Sequence, residues 1–186
     1  MRRARVFLNV AVVLVFFGLF GMASAWALTL SATVSVGSAP SGVAVSPDGD
    51  TVYVADSDGG TVSVINASTN AVIDSVPVDR PPEGVAVSPD GDTVYVINVN
   101  GTVNVINAST NAVTQTVSVG GGPRGVAVSP NGDTVYVTNS TADRVSVINA
   151  STNAITTTVD VGEDPFGVAV SPDSDTVYVT NFRDNN

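Results

Sequence analysis

One thirteen-residue string, written four times, constrains the fold of this 186-residue chain more than any other feature. It reads GVAVSPDGDTVYV at 42–54 and recurs, with at most one change, from residues 84, 125 and 167. The copies are therefore 42, 41 and 42 residues apart. A repeat of this length indicates supersecondary units that stack on one another to bury a shared core.

Each repeat unit contains four short segments rich in Val, Thr, Ile and Tyr, which is typical of β-strands. In the second unit they are GVAVS, TVYV, TVNVIN and VTQTVSV, separated by turn formers such as PDGD and ASTNA. Four strands in about 42 residues is the composition of a β-propeller blade. The sequence therefore predicts an all-β propeller whose blades start at Gly42, Gly84, Gly125 and Gly167.

The predicted strands do not fill a whole number of four-stranded blades. A segment at 30–37 matches the last strand of a unit, three complete units follow, and residues 167–186 hold only the first two strands of a fourth. We expect three complete blades and a partial fourth, either in an incomplete ring or in a four-bladed ring whose first and last strands share a blade. Unpaired strand edges favour pairing with another chain, so self-association through exposed blade edges is expected for the incomplete ring.

The second and third strands also carry a family resemblance. TVYVTN at 134–139 and 176–181, together with VSVINASTNAV at 62–72, resembles the YVTN-type β-propeller repeat, and the likeness extends over residues 28–186. The resemblance implies a position outside the cell, since proteins of this type include surface-layer proteins and surface antigens. It carries no catalytic residue to this chain, because the shared motif is framework.

The first 27 residues have the pattern of an export signal. Three arginines precede an uncharged apolar run, and Ala23-Ser24-Ala25 and Ala25-Trp26-Ala27 both fit a signal-peptidase site. We predict a signal peptide at 1–27, with an uncleaved N-terminal membrane anchor as the alternative. Residues 28–186 are then secreted or held at the cell surface.

The charged residues exclude some functions. Seven basic residues face seventeen acidic ones, so no basic surface is available for nucleic acid. The chain has no His, Cys or Lys, which removes imidazole bases, thiolates and Schiff-base lysines. The sequence therefore predicts that the chain is not an enzyme and that it has no catalytic, cofactor-binding or metal-binding residue. The alternative is a propeller that hydrolyses lactones with carboxylates and a divalent cation.

The differences between repeat units indicate where binding specificity lies. The turns PDGD and ASTNA hardly change, whereas the loops at the opposite end of the blades differ in every unit, as in a scaffold that carries variable binding loops. This end is the predicted interaction surface for a protein or cell-envelope component. Its candidate residues are Ser41, Glu83, Arg124, Phe166, Asp143 and Arg144. The alternatives are drift in unconstrained loops, and a fragment of a longer surface protein with no independent function.

Several N-x-[ST] triplets would be acceptors for N-linked glycans in an exported chain. They begin at Asn66, Asn100, Asn107, Asn139 and Asn149. Three of the five lie in copies of the same NAST turn, so duplication has raised their number.

Overall fold

The computed structural model describes residues 10–15, 29–79 and 81–184. These ranges form sixteen β-strands and contain no helix with the length and apolar character needed to cross a bilayer. The strands are β1 (Val10–Val15), β2 (Thr29–Ser35), β3 (Pro40–Val45), β4 (Thr51–Asp56), β5 (Thr61–Asn66), β6 (Ala71–Pro77), β7 (Pro82–Val87), β8 (Thr93–Asn98), β9 (Thr102–Asn107), β10 (Ala112–Ser118), β11 (Pro123–Val128), β12 (Thr134–Asn139), β13 (Arg144–Asn149), β14 (Ala154–Asp160), β15 (Pro165–Val170) and β16 (Val177–Asn181).

The predicted blades are present as antiparallel sheets. Strands β3–β6, β7–β10 and β11–β14 each form a four-stranded sheet in chain order, and we name these sheets the first, second and third blades. Strands β15 and β16 form a two-stranded sheet, which is the partial fourth blade. The predicted all-β propeller architecture, with three complete blades and part of a fourth, is confirmed.

Of the two arrangements that the sequence left open, the structure has the incomplete one and not a ring closed by a shared blade. Strand β2 pairs with β1 rather than with β16, and the described sheets do not close into a ring. The predicted signal peptide, residues 1–27, lies outside the described residues except for β1. One side of β2 is paired with β1, and its Val34 packs against Val54 and Ile65 of the first blade. These contacts hold β2 at the N-terminal end of the array of blades.

The pairing of β1 with β2 repeats the geometry of the third and fourth strands of a blade. Val10 stands opposite Ser35, and the register shifts between Val13 and Leu14. In the first blade Thr61 stands opposite Pro77, and the same shift falls between Val64 and Ile65. The array therefore begins with the outer half of a blade and ends with the inner half of another.

The hydrophobic core lies between blades. Tyr95 and Ile97 of the second blade form one buried cluster with Val135, Val137 and Ile148 of the third. The equivalent cluster between the first and second blades contains Tyr53 and Val94. The first and second blades therefore bury the Tyr-bearing face of their second strand against the blade that follows.

Two glycines allow the innermost strands to lie very close together. A Cβ atom on Gly42 would be 2.3 Å from the carbonyl oxygen of Glu83, and one on Gly125 would be 2.4 Å from that of Phe166. Both distances are well inside van der Waals contact, so only glycine fits. The repeated Gly at the start of each blade thus has a packing reason at these two positions.

The turn between the first and second strands is fixed by a repeated set of hydrogen bonds. In the second blade the Ser88 hydroxyl donates to the Asp90 carboxylate, and the Asp92 amide donates to the same oxygen at 3.0 Å. The Thr93 amide donates to the Ser88 hydroxyl at 3.0 Å. The serine hydroxyl, followed by the backbone amide, holds the pKa of the carboxyl below its usual value at Asp90, as at Asp48 and Asp173.

These lowered pKa values predict a loss of stability in acid. Because the folded carboxyl has the lower pKa, its contribution is fully present above the unfolded pKa of about 3.9 and is lost as the pH falls through the folded pKa. Asp90→Asn should lower the melting temperature at neutral pH, and its difference from the parent protein should shrink below about pH 4. Thermal unfolding over a pH series measures this. Asn131 occupies the same position in the third blade, so Asn131→Asp should make the melting temperature more sensitive to acid. A melting-temperature difference between Asp90→Asn and the parent protein that stays constant across the pH series would contradict this explanation.

The same turn contains a position of left-handed backbone. Gly49, Gly91 and Gly132 have φ near 80°, whereas Ser174 takes a φ of 66° at the matching place in β15–β16. Ser174→Gly should stabilise the fold by about 0.5 kcal/mol, since relief of strain is partly offset by loss of the Asn131 hydrogen bond to Ser174.

Chemical denaturation checks the effect of Ser174→Gly, and Gly132→Ser is the reverse control. The nearest atom to a Cβ on Gly132 is 3.8 Å away, so its cost should be that of the backbone conformation alone, about 1 kcal/mol. A stabilising effect of Gly132→Ser would be inconsistent with this explanation.

Candidate interaction surface

The variable loops lie together at one end of the blades, which we name the rim. It consists of the turns between second and third strands and the connections between blades. In each blade the turn donates a backbone hydrogen bond to the connection beside it. These bonds are Ser57 to Ala39 at 3.0 Å, Val99 to Pro81 at 2.9 Å, Ser140 to Gly122 at 3.0 Å and Phe182 to Asp164 at 3.0 Å. The rim backbone is therefore fixed in every unit while its side chains differ.

A buried polar pair supports the rim in each complete blade. The last residue of the second strand, Asp or Asn, forms a hydrogen bond with a Ser or Asn of the third strand, and both are buried. The pairs are Ser63 to Asp56 at 2.8 Å, Asn98 to Asn104 at 2.8 Å and Asn139 to Ser146 at 2.9 Å. The hydrogen bond fixes the end of the strand and hence the start of the rim turn, although the Oδ1 atom of Asp56, Asn98 and Asn139 is buried without a hydrogen-bond partner.

Glu83 and Arg124, predicted as rim residues, form an ion pair between neighbouring inner strands. The Arg124 Nη1 donates to both carboxylate oxygens of Glu83, at 3.0 and 3.1 Å. The side chains keep 39% and 24% of their surface exposed, so the pair contributes at most about 1 kcal/mol to folding. Its effect is to orient two opposite charges at the rim.

Ser41 and Phe166 extend this row to the inner strands on either side. The Ser41 hydroxyl donates to the carbonyl oxygen of Glu83 at 3.0 Å and accepts from the Ser57 hydroxyl at 2.9 Å. The Phe166 side chain is half exposed, and its carbonyl accepts from Thr138 at 2.8 Å. The four predicted positions thus present a hydroxyl, an acid, a base and a phenyl ring on successive inner strands.

Asp143 lies in a cleft of about 420 Å³ between the third blade and β15–β16. The cleft is lined by Ser140, Thr141, Asp143, Glu163, Asp164 and Arg183. The Asp143 carboxylate accepts a hydrogen bond from the Asp164 amide at 2.9 Å, and Arg183 lies 3.5 Å from the Asp164 carboxylate. With three carboxylates and one guanidinium, the cleft is suited to a cationic group of a partner.

Asp143 is the one cleft residue predicted from the sequence, and Glu163, Asp164 and Arg183 are not among the predicted residues. Arg144, also predicted, is exposed at the start of β13 and is not among the cleft residues. Glu163 and Asp164 follow β14 and meet Asp143 because β14 pairs with β13, whereas Arg183 follows β16 and reaches the cleft because β15–β16 stacks on the third blade. Within the described residues, no group of three or more acidic side chains is arranged to hold a metal ion.

The predicted glycan acceptors lie in different environments. Asn66, Asn107 and Asn149 are half-buried, and their side-chain oxygens accept hydrogen bonds within the NAST turn. Asn100 is exposed on the rim. Asn139 is fully buried, with its amide donating to Ser146, and in the folded protein it has no surface for a glycan.

Comparison with known proteins identifies a family. The family described as a domain of unknown function, DUF5074, matches residues 25–180. The chain belongs to this family. No curated protein matches it.

Two solved structures share the fold. One is the Kuenenia stuttgartiensis hydrazine synthase, with 29% identity and a TM-score of 0.75 over 78% of this chain and 44% of that one. The other is a functionally unknown protein from Desulfotomaculum acetoxidans DSM 771, with 19% identity and a TM-score of 0.75 over 83% and 52%. This DUF5074 chain therefore spans about half the length of the two solved chains.

Proposed function

We propose that this DUF5074 chain is an exported, cell-surface β-propeller of the YVTN type that acts as a structural or protein-binding module through its rim. The leader directs residues 28–186 out of the cytoplasm, as a cleaved signal peptide or as a retained anchor. The partner is a protein or a component of the cell envelope.

The observation that carries the proposal is the contrast between the two ends of the blades. The turns opposite the rim repeat nearly the same side chains, and in every unit the threonine amide donates to the serine hydroxyl, as at Ser46, Ser88, Ser129 and Ser171. The rim keeps its backbone hydrogen bonds but changes its side chains, from Ser41 to Phe166 along the inner strands. A fixed backbone that presents varied side chains is suited to recognition, because little conformational entropy is lost on binding.

The export part of the proposal is tested by the fate of the leader. We expect the chain, produced from residue 1 in an exporting host, to be recovered outside the cytoplasm with a new N-terminus after Ala25 or Ala27, or intact in the membrane fraction. N-terminal sequencing of the fractions distinguishes the two. Recovery of the intact chain in the cytoplasm alone would contradict export.

The binding part is tested with the double variant Arg124→Ser/Phe166→Ser. Serine already occupies the equivalent position 41, so the fold should accept both changes. Saturable binding of the labelled protein to cell envelopes of the source organism should weaken by about tenfold or more. A matched control, Asp50→Asn/Asp92→Asn, changes two exposed side chains of the opposite turns and should bind as the parent protein does. Equal loss of binding in both variants would contradict a rim site.

A further inference from the structure

The two ends of the blade array expose apolar residues that are covered elsewhere in the chain. Tyr178 of β16 is 64% exposed, whereas Tyr95, at the same position of the second blade, is 2% exposed. At the other end Val43 and Val45 of β3 are 63% and 55% exposed. Their counterparts in the second and third blades are partly buried against the preceding blade.

The contacts between blades show which residues fit these surfaces. Val126 and Val128 of β11 pack against the cluster that contains Tyr95 of the second blade. Val85 and Val87 of β7 pack in the same way against the cluster that contains Tyr53. Each tyrosine is thus covered by the first-strand valine pair of the next blade. One end of the described array has a tyrosine without such a pair, and the other end has such a pair without its tyrosine.

We infer that a second copy of this chain docks head to tail, with its Val43 and Val45 packed on Tyr178 of the first copy. The contact continues the blade-to-blade packing already present within the chain. The inference rests on the proposal that the chain is an interaction module, but it uses a different surface from the rim. The residues of the contact all lie within 40–184, so it does not depend on the leader.

The edge beside β16 supports the same occupant. A groove of about 160 Å³ runs between the third blade and β16, with Tyr136, Val147 and Val177 among its lining residues. At the equivalent place between the second and third blades, Ile148 of a third strand fills the space. In a chain that keeps its leader, the N-terminal end of a second copy also presents β1–β2, which has the register of a third and fourth strand, and docking head to tail brings this pair towards the groove. In a chain that loses its leader, the contact is the packing of Val43 and Val45 on Tyr178 alone.

A side chain at position 167 would fit in the single chain but not in the assembly. Within one chain, a Cβ on Gly167 meets only the Thr180 side chain, at 3.1 Å for the hydroxyl oxygen. If the second copy lies beside β15 as β15 lies beside β11, the same Cβ would collide with the backbone of that copy near Ser41. Gly167→Ala should therefore fold normally and fail to associate.

The test is sedimentation velocity of the exported protein over a wide concentration range. The parent protein should associate, and Tyr178→Asp, Val45→Asp and Gly167→Ala should each raise the dissociation constant by about tenfold or more. Val113→Asp is the matched control, since Val113 is a partly exposed apolar residue of β10 in the second blade, which has a complete blade on either side. A parent protein that stays monomeric, or equal dissociation by Val113→Asp, would overturn the inference.

A mixing experiment tests the head-to-tail geometry. Tyr178→Asp keeps an intact valine end and Val45→Asp keeps an intact tyrosine end, so the mixed variants should form a one-to-one complex that neither forms alone. Failure to form it would overturn a heterologous contact. Association without envelope binding would contradict the proposed function but not this inference. Envelope binding by a protein that stays monomeric would contradict this inference but not the proposed function.

Discussion

Gly125→Ala is expected to destabilise the protein by about 3 kcal/mol. The added Cβ would be 2.4 Å from the Phe166 carbonyl oxygen, which belongs to the backbone of the neighbouring inner strand β15. Relief requires β15 to move away from β11, and that movement would disrupt the hydrogen bond from Thr138 to the Phe166 carbonyl. Chemical denaturation at low protein concentration measures the change in the free energy of unfolding.

Gly167→Ala is the matched control for this prediction. It makes the same substitution at the same position of the repeat, but within one chain no inner strand follows β15 in the described residues. Its cost to the isolated chain should be below about 1 kcal/mol, since its nearest neighbour is the end of the Thr180 side chain. Equal costs at the two glycines would show that the close approach of inner strands is not what requires glycine at 125.

Ile148→Ala is expected to cost about 3–4 kcal/mol. Ile148 has almost no exposed surface and belongs to the cluster that joins the second and third blades, together with Tyr95 and Val137. Truncation removes apolar contacts and leaves a cavity between two blades whose backbones are fixed by their own sheets. Denaturant unfolding of the variant and the parent protein gives the difference.

Ile155→Ala provides the comparison for Ile148→Ala. Ile155 stands directly opposite Ile148 on β14 but is 39% exposed, because β14 is the outermost strand of its blade. The substitution should cost about 1 kcal/mol or less. If it cost as much as Ile148→Ala, the main core would not lie between the blades.

The strands and turns of this fold could be predicted because their determinants are local. Alternation in segments such as TVYV marks strands, and the Pro-Asp-Gly sequence marks a turn in which Gly49 takes positive φ. Because the sequence repeats, a strand or turn predicted in one unit is predicted at the same place in every other unit. This is why the three complete blades and the partial fourth followed from the sequence alone.

Relations between blades could not be predicted in the same way. The angle between neighbouring blades depends on how side chains such as Tyr95 and Ile148 fill the space between two sheets, and periodicity carries no information about that volume. The sequence therefore left ring closure undecided, and the structure keeps β2 apart from β16. Part of the acidic cleft was missed for the same reason, since Arg183 reaches Asp164 only because β15–β16 stacks on the third blade.

The polar pairs beneath the rim show a second limit. A buried Asp56 at the end of a strand has the same local sequence signal as an exposed turn aspartate. Its partner Ser63 lies across the sheet, and only their register places the hydroxyl 2.8 Å from the carboxylate. Comparison between units gives a weak signal, because Asp or Asn recurs at this position with Ser or Asn on the third strand.

Hydrogen exchange of the protein bound to cell envelopes of the source organism tests the central claim, that the rim is the binding surface, most directly. We expect exchange to slow on binding at rim amides in 57–60, 99–101, 140–143 and 163–166, and to stay unchanged in the opposite turns at 47–50, 89–92 and 130–133. The contrast between two ends of the same blades serves as an internal control. Protection of the opposite turns with an unprotected rim would contradict the account.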